Sequence, residues 1–158
     1  MKPTRSGMIA AALATALLAP GPAPAQQRFL FEYSVKVVCG KVSDDSADAP
    51  LAPGRYYTAV NLHNPAATAT FRFKVATALP GRPGPVSRFE PSRLGPDEAM
   101  EIDCPLIHRV ARDERWVKGF VVIQSSHQLD VVAVYTTSGR GPEVNSFHTE
   151  RVPVRRIG

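Results

Sequence analysis

The chain has 158 residues, of which 44% are hydrophobic and 21% charged, and it carries a formal charge of +5. A chain of this length buries a real core as one domain. Its basic residues are spread along the sequence and form no single stripe interleaved with aromatics, which argues against a nucleic-acid partner.

The first element in chain order is an export signal, predicted over residues 1–25. Lys2 and Arg5 precede an apolar run from Met8 to Leu18, and Ala23-Pro24-Ala25 supplies the small residues of a cleavage site. The run stops at Pro20, short of the roughly 20 apolar residues that a spanning helix needs. No membrane anchor is expected, and cleavage between Ala25 and Gln26 would release a soluble protein, periplasmic or secreted. Residues 26–158 would then form one domain with a charge of +3, the +5 of the whole chain less Lys2 and Arg5.

Beyond the signal there is no convincing helix; short alternating segments recur between Pro, Gly and Asp, the pattern of an all-β domain. Strands are predicted over 29–38, 55–63, 69–77, 99–104, 116–124, 129–136 and 144–152. About seven strands suggest a single antiparallel β-sandwich of Ig-like dimensions, with a small closed β-barrel as the other architecture. Trp116 follows the second cysteine, a departure from the immunoglobulin pattern. Residues 43–50 read as a polar loop, 79–95, rich in Pro and Gly, as an irregular surface connection, and the mixed charges of 108–115 as a solvated loop. The segments around Val121 and Val132 are apolar at nearly every position and read as central strands covered on both faces. Ser125-Ser126-His127-Gln128 is short enough to join them as a hairpin. Val152-Pro153-Val154 should end the sheet at an edge, where a missing N–H costs least.

Cys39 and Cys104 are the two cysteines, and in an oxidising compartment they are expected to form a disulfide. Strand parity supports this, placing Cys39 on the face of Tyr33, Val35 and Val37 and Cys104 on that of Met100 and Ile102. Neither cysteine has a C-x-x-C partner or a histidine at ligand spacing, so no metal site is expected.

Ser125, His127 and Asp130 are triad residue types, but they fall within one tight turn, where a base cannot align with both partners. His63, His108, His127 and His148 lie in separate segments without a paired-ligand spacing. No catalytic residue and no cofactor is therefore assigned. Glu101 and Asp103, like Arg72 and Lys74, fit cross-strand ion pairing. The segment singled out for binding is Asn61-Leu62-His63-Asn64-Pro65. Asn61 and His63 share a face opposite Val60 and Leu62, and Asn64-Pro65 then turns the chain, so both are ligand-facing candidates at one end of the sandwich.

Taken together, the blocks Gly54 to Pro65, Glu101 to Cys104, Lys118 to Ile123 and Leu129 to Thr136 resemble a group of uncharacterised exported bacterial β-sandwich proteins. The apolar pair of segments is also similar to the sheet of the sensory rhodopsin transducer family, small β-sandwich proteins that assemble as oligomers and bind partners rather than catalyse. That resemblance implies a binding module and transfers no site residue. The resulting expectation is a non-enzymatic exported binding or interaction module of the bacterial envelope, whose partner is a protein or a small polar ligand. The alternatives are an envelope hydrolase with a site assembled around His63 and a structural subunit that self-associates as a homo-oligomer.

Overall fold

The computed structural model describes residues 28–43, 51–113, 115–139 and 144–158; the predicted signal peptide with its Ala25–Gln26 cleavage site, and most of the 43–50 loop, lie outside them. In chain order the elements are β1 (Phe31–Val42), β2 (Gly54–His63), β3 (Ala69–Leu79), β4 (Arg82–Val86), β5 (Glu90–Leu94), β6 (Ala99–Ile102), α1 (Cys104–Ala111), β7 (Trp116–Ser125), β8 (Asp130–Ser138), β9 (Val144–Arg151) and β10 (Arg155–Arg156). All seven predicted strands are present, and every pairing among the described residues is antiparallel.

The strands follow the order β4-β3-β7-β1-β2-β8-β9, with β5 on β3, β6 on β2 and β10 on β1. β1 runs beside β7 from Phe31 to Gly40, and its last residues, Gly40 to Val42, also pair with the start of β2. The long strand thus joins a layer of β5, β3, β7 and β1 to a layer of β6, β2, β8 and β9. Gly40 sits at the bend with φ +128°, and a Cβ there would lie 2.4 Å from the Arg115 carbonyl oxygen, so only glycine allows this turn of the strand. The sheet stays open: among the described residues β9 pairs with β8 alone. The architecture is the sandwich, and the closed barrel does not form.

Alternation builds the core between the layers. Tyr33, Val35 and Val37 of β1, Phe71, Phe73 and Val75 of β3, Val117, Val121 and Ile123 of β7, and Val60 and Leu62 of β2 are all at most 3% exposed. Each such side chain contributes roughly 1.5–3 kcal/mol by leaving water. The Tyr33 hydroxyl donates to the Leu129 carbonyl (2.8 Å) and accepts from the Leu129 N–H (2.7 Å), fastening the β7–β8 connection to β1 inside the core.

The structure corrects several expectations. β7 and β8 do not form a hairpin: β7 lies between β1 and β3 and β8 between β2 and β9, so Ser125 to Leu129 carries the chain from one layer to the other. Both are central strands, yet only their inner faces are covered; Phe120 is 41% exposed, and Val122, Val132 and Val134 are half-buried. The 79–95 segment is not irregular but forms β4 and β5, both on one edge of β3. Their prolines are tolerated because an edge strand has one side free of ladder bonds. The helix α1 replaces the first half of the loop expected over 108–115. Asp103 caps it by accepting from the Leu106 N–H at 3.0 Å, proline occupies its first turn, and Arg112 ends it in the left-handed region. Cys104 therefore opens a helix and does not end a strand.

The Cys39–Cys104 disulfide is present with a Cα–Cα distance of 5.4 Å, and both cysteines are buried. It ties α1 to β1, while Ile107, fully buried one helical turn on, seats α1 in the core.

The C-terminal segment crosses back so that β10 pairs with the start of β1, where the Arg155 guanidinium meets the Glu32 carboxylate. Burial alone would raise the Glu32 carboxyl. The hydrogen bonds from Gln124 and Arg155 and the charges of Arg155 and Lys74 outweigh burial and hold it below its ordinary 4.5. A carboxylate lowered in the folded state stabilises above its ordinary value, and that contribution is lost as pH falls through the folded value. Thermal melts between about pH 5 and pH 3 should therefore lose less stability in Glu32→Gln than in wild type. Equal losses would remove Glu32 from the acid limb.

Candidate functional site

Along β2 the side chains of Tyr57, Ala59, Asn61 and His63 take the outward face, while Thr58, Val60 and Leu62 take the core. Asn61 is exposed, between Glu101 of β6 and Val132 of β8. His63 is half-exposed. Its Nδ1 lies 3.4 Å from Asp130 Oδ2 and its Nε2 3.9 Å from Asp97 Oδ1, and Arg151 donates to the other Asp130 oxygen at 2.9 Å. The fold thus places both ligand-facing candidates on one outward strip and surrounds His63 with charged groups that sequence reading did not pair with it.

Asn64 behaves differently, because it is fully buried. Its Nδ2 donates to the carbonyls of Ala67 (2.9 Å), Leu94 (3.2 Å) and Gly95 (2.8 Å), and its Oδ1 accepts from the Ala66 N–H (3.3 Å). Its backbone bonds Glu98 and Asp97. The residue pins the end of β2 to the β5–β6 turn and holds the strip rigid from behind.

The Ser125, His127 and Asp130 set does not assemble as a triad. Ser125 is buried and its Oγ accepts from the His127 backbone N–H, the His127 ring meets Ser126, and Asp130 is engaged by His63 and Arg151. No group of three or more His, Cys, Asp or Glu side chains among the described residues is placed to hold a metal ion.

At the opposite, Gly54 end of β2 lies a cleft of about 630 Å³ that sequence reading missed. Its wall is made by Gly40 and Lys41 of β1, Arg55, Tyr56 and Tyr57 of β2, Cys104 and His108 of α1, Arg115, and Thr136, Thr137 and Ser138 of β8. The side chains are held by the frame around them. The Tyr56 ring meets Trp116 edge-on at 5.8 Å and its hydroxyl donates to the Ala52 carbonyl at 2.6 Å. The Tyr57 hydroxyl donates to Asp103 at 3.3 Å; burial, then the Asp103 and Glu101 charges, push it above its ordinary 10.0. His108 donates from Nδ1 to the Asp113 carbonyl. More than half of the wall is apolar, and Lys41, Arg55, Arg115, Thr136, Thr137 and Ser138 add basic and hydroxyl groups to it, so the cleft offers apolar contact together with hydrogen bonds and positive charge. Apart from Arg115, its residues come from four elements, and they share no local motif; the disulfide, which brings α1 to β1, was the one signal in the sequence that joined two of them.

No protein-family model and no curated protein matches this chain. Among solved structures, the chain is similar to the crystal structure of Thermotoga maritima 1070, at 10% identity and a TM-score of 0.50, over 82% of this chain and 96% of that one. At this identity the likeness shows the fold alone.

Proposed function

We propose that the protein is a non-enzymatic interaction module of the bacterial envelope, exported by its 1–25 segment to the periplasm or the medium, that binds a small polar ligand or a protein partner. The cleft carries this reading. Its volume of about 630 Å³ falls in the range of small-molecule sites, and Tyr57 on its wall begins the outward strip that continues through Asn61 to His63. The disulfide fits an oxidising, extracytoplasmic compartment. No helix among the described residues is long and apolar enough to cross a membrane. The resemblance to partner-binding sandwich proteins points the same way. Against a hydrolase built on a Ser-His-Asp arrangement, the hydrogen-bond and ion-pair partners of His63 among the described residues are the carboxylates of Asp130 and Asp97.

Ligand capture tests the proposal. Protein incubated with a small-molecule extract of the envelope and washed by ultrafiltration should retain a polar compound in native mass spectrometry. The double variant Arg55→Ala/Tyr57→Ala should lose it. A protein partner that extends from the cleft along the strip should bind His63→Ala more weakly, with the melting temperature nearly unchanged, because the pairing of His63 with Asp130, at 44% and 43% exposure, is worth roughly 0–1 kcal/mol. Turnover of ester, phosphate or glycoside substrates that disappears in His63→Ala would put the hydrolase in its place. A second reading, the self-associating subunit, rests on β9, whose residues Asn145 to Arg151 are all exposed beside an open strand edge. A monomeric mass in size-exclusion chromatography would dismiss it.

A further inference from the structure

The basic residues that look scattered in the sequence gather in space on the outer face of the β5-β3-β7-β1 layer. Lys36 of β1, Arg72 and Lys74 of β3, Arg93 of β5 and Lys118 of β7 all occupy outward strand positions. Glu32 is the one acid at an outward position of these four strands, and Arg155 and Gln124 already engage it. Like charges on adjoining strands oppose the folded state. Lys36 shows this: burial and then the charge of Lys118 pull its ammonium below its ordinary 10.5.

The middle of the same face is apolar. Phe120, 41% exposed, stands between Lys36 and Ala76 in the register, and half-buried Val122 between Ser34 and Lys74. The aromatic rings lie against cations: Lys36 Nζ is 5.0 Å from the Phe120 centroid, Lys74 Nζ 4.8 Å from that of Phe89, and the Arg72 guanidinium sits 4.3 Å from Phe29 and 4.2 Å from Phe89. The Arg72 guanidinium, set against both Phe29 and Phe89, keeps those two rings from serving as platforms for unstacked bases, whereas Phe120 stays open to an apolar partner. A face with an apolar centre and long basic side chains around it matches a surface that is apolar within and anionic at its rim.

From this arrangement we infer that the outer face of β3, β7 and β1 docks on an anionic lipid surface, with Phe120 and Val122 at the acyl boundary and the heads of Lys36, Lys74, Lys118 and Arg93 on headgroup phosphates. The face lies across the sandwich from the β2 strip, so its occupancy is independent of the cleft.

Sedimentation with vesicles tests it. At low salt the protein should pellet with phosphatidylcholine vesicles that contain phosphatidylglycerol and stay in solution with phosphatidylcholine alone. Lys36→Gln/Lys74→Gln/Lys118→Gln should weaken the partition roughly 100-fold, about fivefold for each charge removed near the surface. The corresponding triple change to arginine should retain it, which separates lost charge from lost fold. Arg109→Gln/Arg112→Gln, at the end of α1 and off this face, should bind as wild type. A tryptophan at position 120, introduced as Phe120→Trp, should be quenched by brominated acyl chains. Equal pelleting with both vesicle types, or a lysine triple that binds as wild type, would overturn the inference. Tighter binding to a single-stranded oligonucleotide than to anionic vesicles at the same salt would overturn it in favour of nucleic acid.

Discussion

Replacing Cys39 and Cys104 together by alanine is expected to lower stability by about 2–5 kcal/mol. The bond closes a sequence separation of 65 residues, which in the chain-entropy picture removes roughly 4 kcal/mol of freedom from the unfolded chain. The native state contributes as well. α1 is short, with only Cys104 and Ile107 fully buried, and it depends on the disulfide to stay against β1. Chemical denaturation of wild type and the double variant measures the difference. The cleft should report it separately, since Gly40 and Cys104 both line it: ligand retention should fall in the double variant even at temperatures where the sheet is intact. A double variant that melts with wild type, or free thiols titrating in the native protein, would refute the structural role.

Asn64→Ala should cost about 2–4 kcal/mol, although the residue touches no candidate ligand surface directly. Its Nδ2 meets three backbone carbonyls of the Ala67 and Leu94–Gly95 segments, and alanine would remove the donor from all three, the Leu94 carbonyl being buried, beside the ends of β2 and β5. Asn64→Asp should be worse near neutral pH, because it points a carboxylate at those same carbonyl oxygens. The charged form is then disfavoured in the folded state, so the Asp variant's folded pKa is raised, and its destabilisation should shrink as the pH is lowered toward and below the ordinary carboxylate range. Melting curves of the three proteins across acid pH give both comparisons. An alanine variant as stable as wild type would show that water satisfies the carbonyls, and Asn64 would lose its role as the support of the β2 strip.

The contrast between Asn64 and its neighbours shows where local reading stops. Parity along β2 was enough to put Asn61 and His63 outward together, because a strand alternates whatever lies beside it. Parity could not show that His63 would meet Asp130 from β8 and Asp97 from the β5–β6 turn, since those contacts depend on which strands lie next to β2. The hairpin expected between β7 and β8 failed for the same reason. A four-residue connection fits a hairpin, and it also fits a step across the sandwich; the Tyr33 hydroxyl, distant in sequence, holds the second. α1 was hidden by an accidental alternation from Met100 to Cys104 that carried the strand reading past Asp103, although Asp103 before Cys104-Pro105 also has the form of a helix start. β4 and β5 were hidden by their prolines, which break a central strand but not an edge.

Sequence by itself determined the all-β class, the seven principal strands, the disulfide and the outward placement of Asn61 and His63. Each of these follows from alternation, turn residues and the chemistry of cysteine, which are properties of neighbouring residues or of a single pair. Tertiary structure alone decided the strand order, the bend at Gly40, the cleft between β1, β2, α1 and β8, and the gathering of Lys36, Arg72, Lys74 and Lys118 on one face. The reason is physical: a cleft or a charged face is made by side chains that become neighbours only when distant strands pair, and the free energy that selects one pairing over another is spread over the whole buried core.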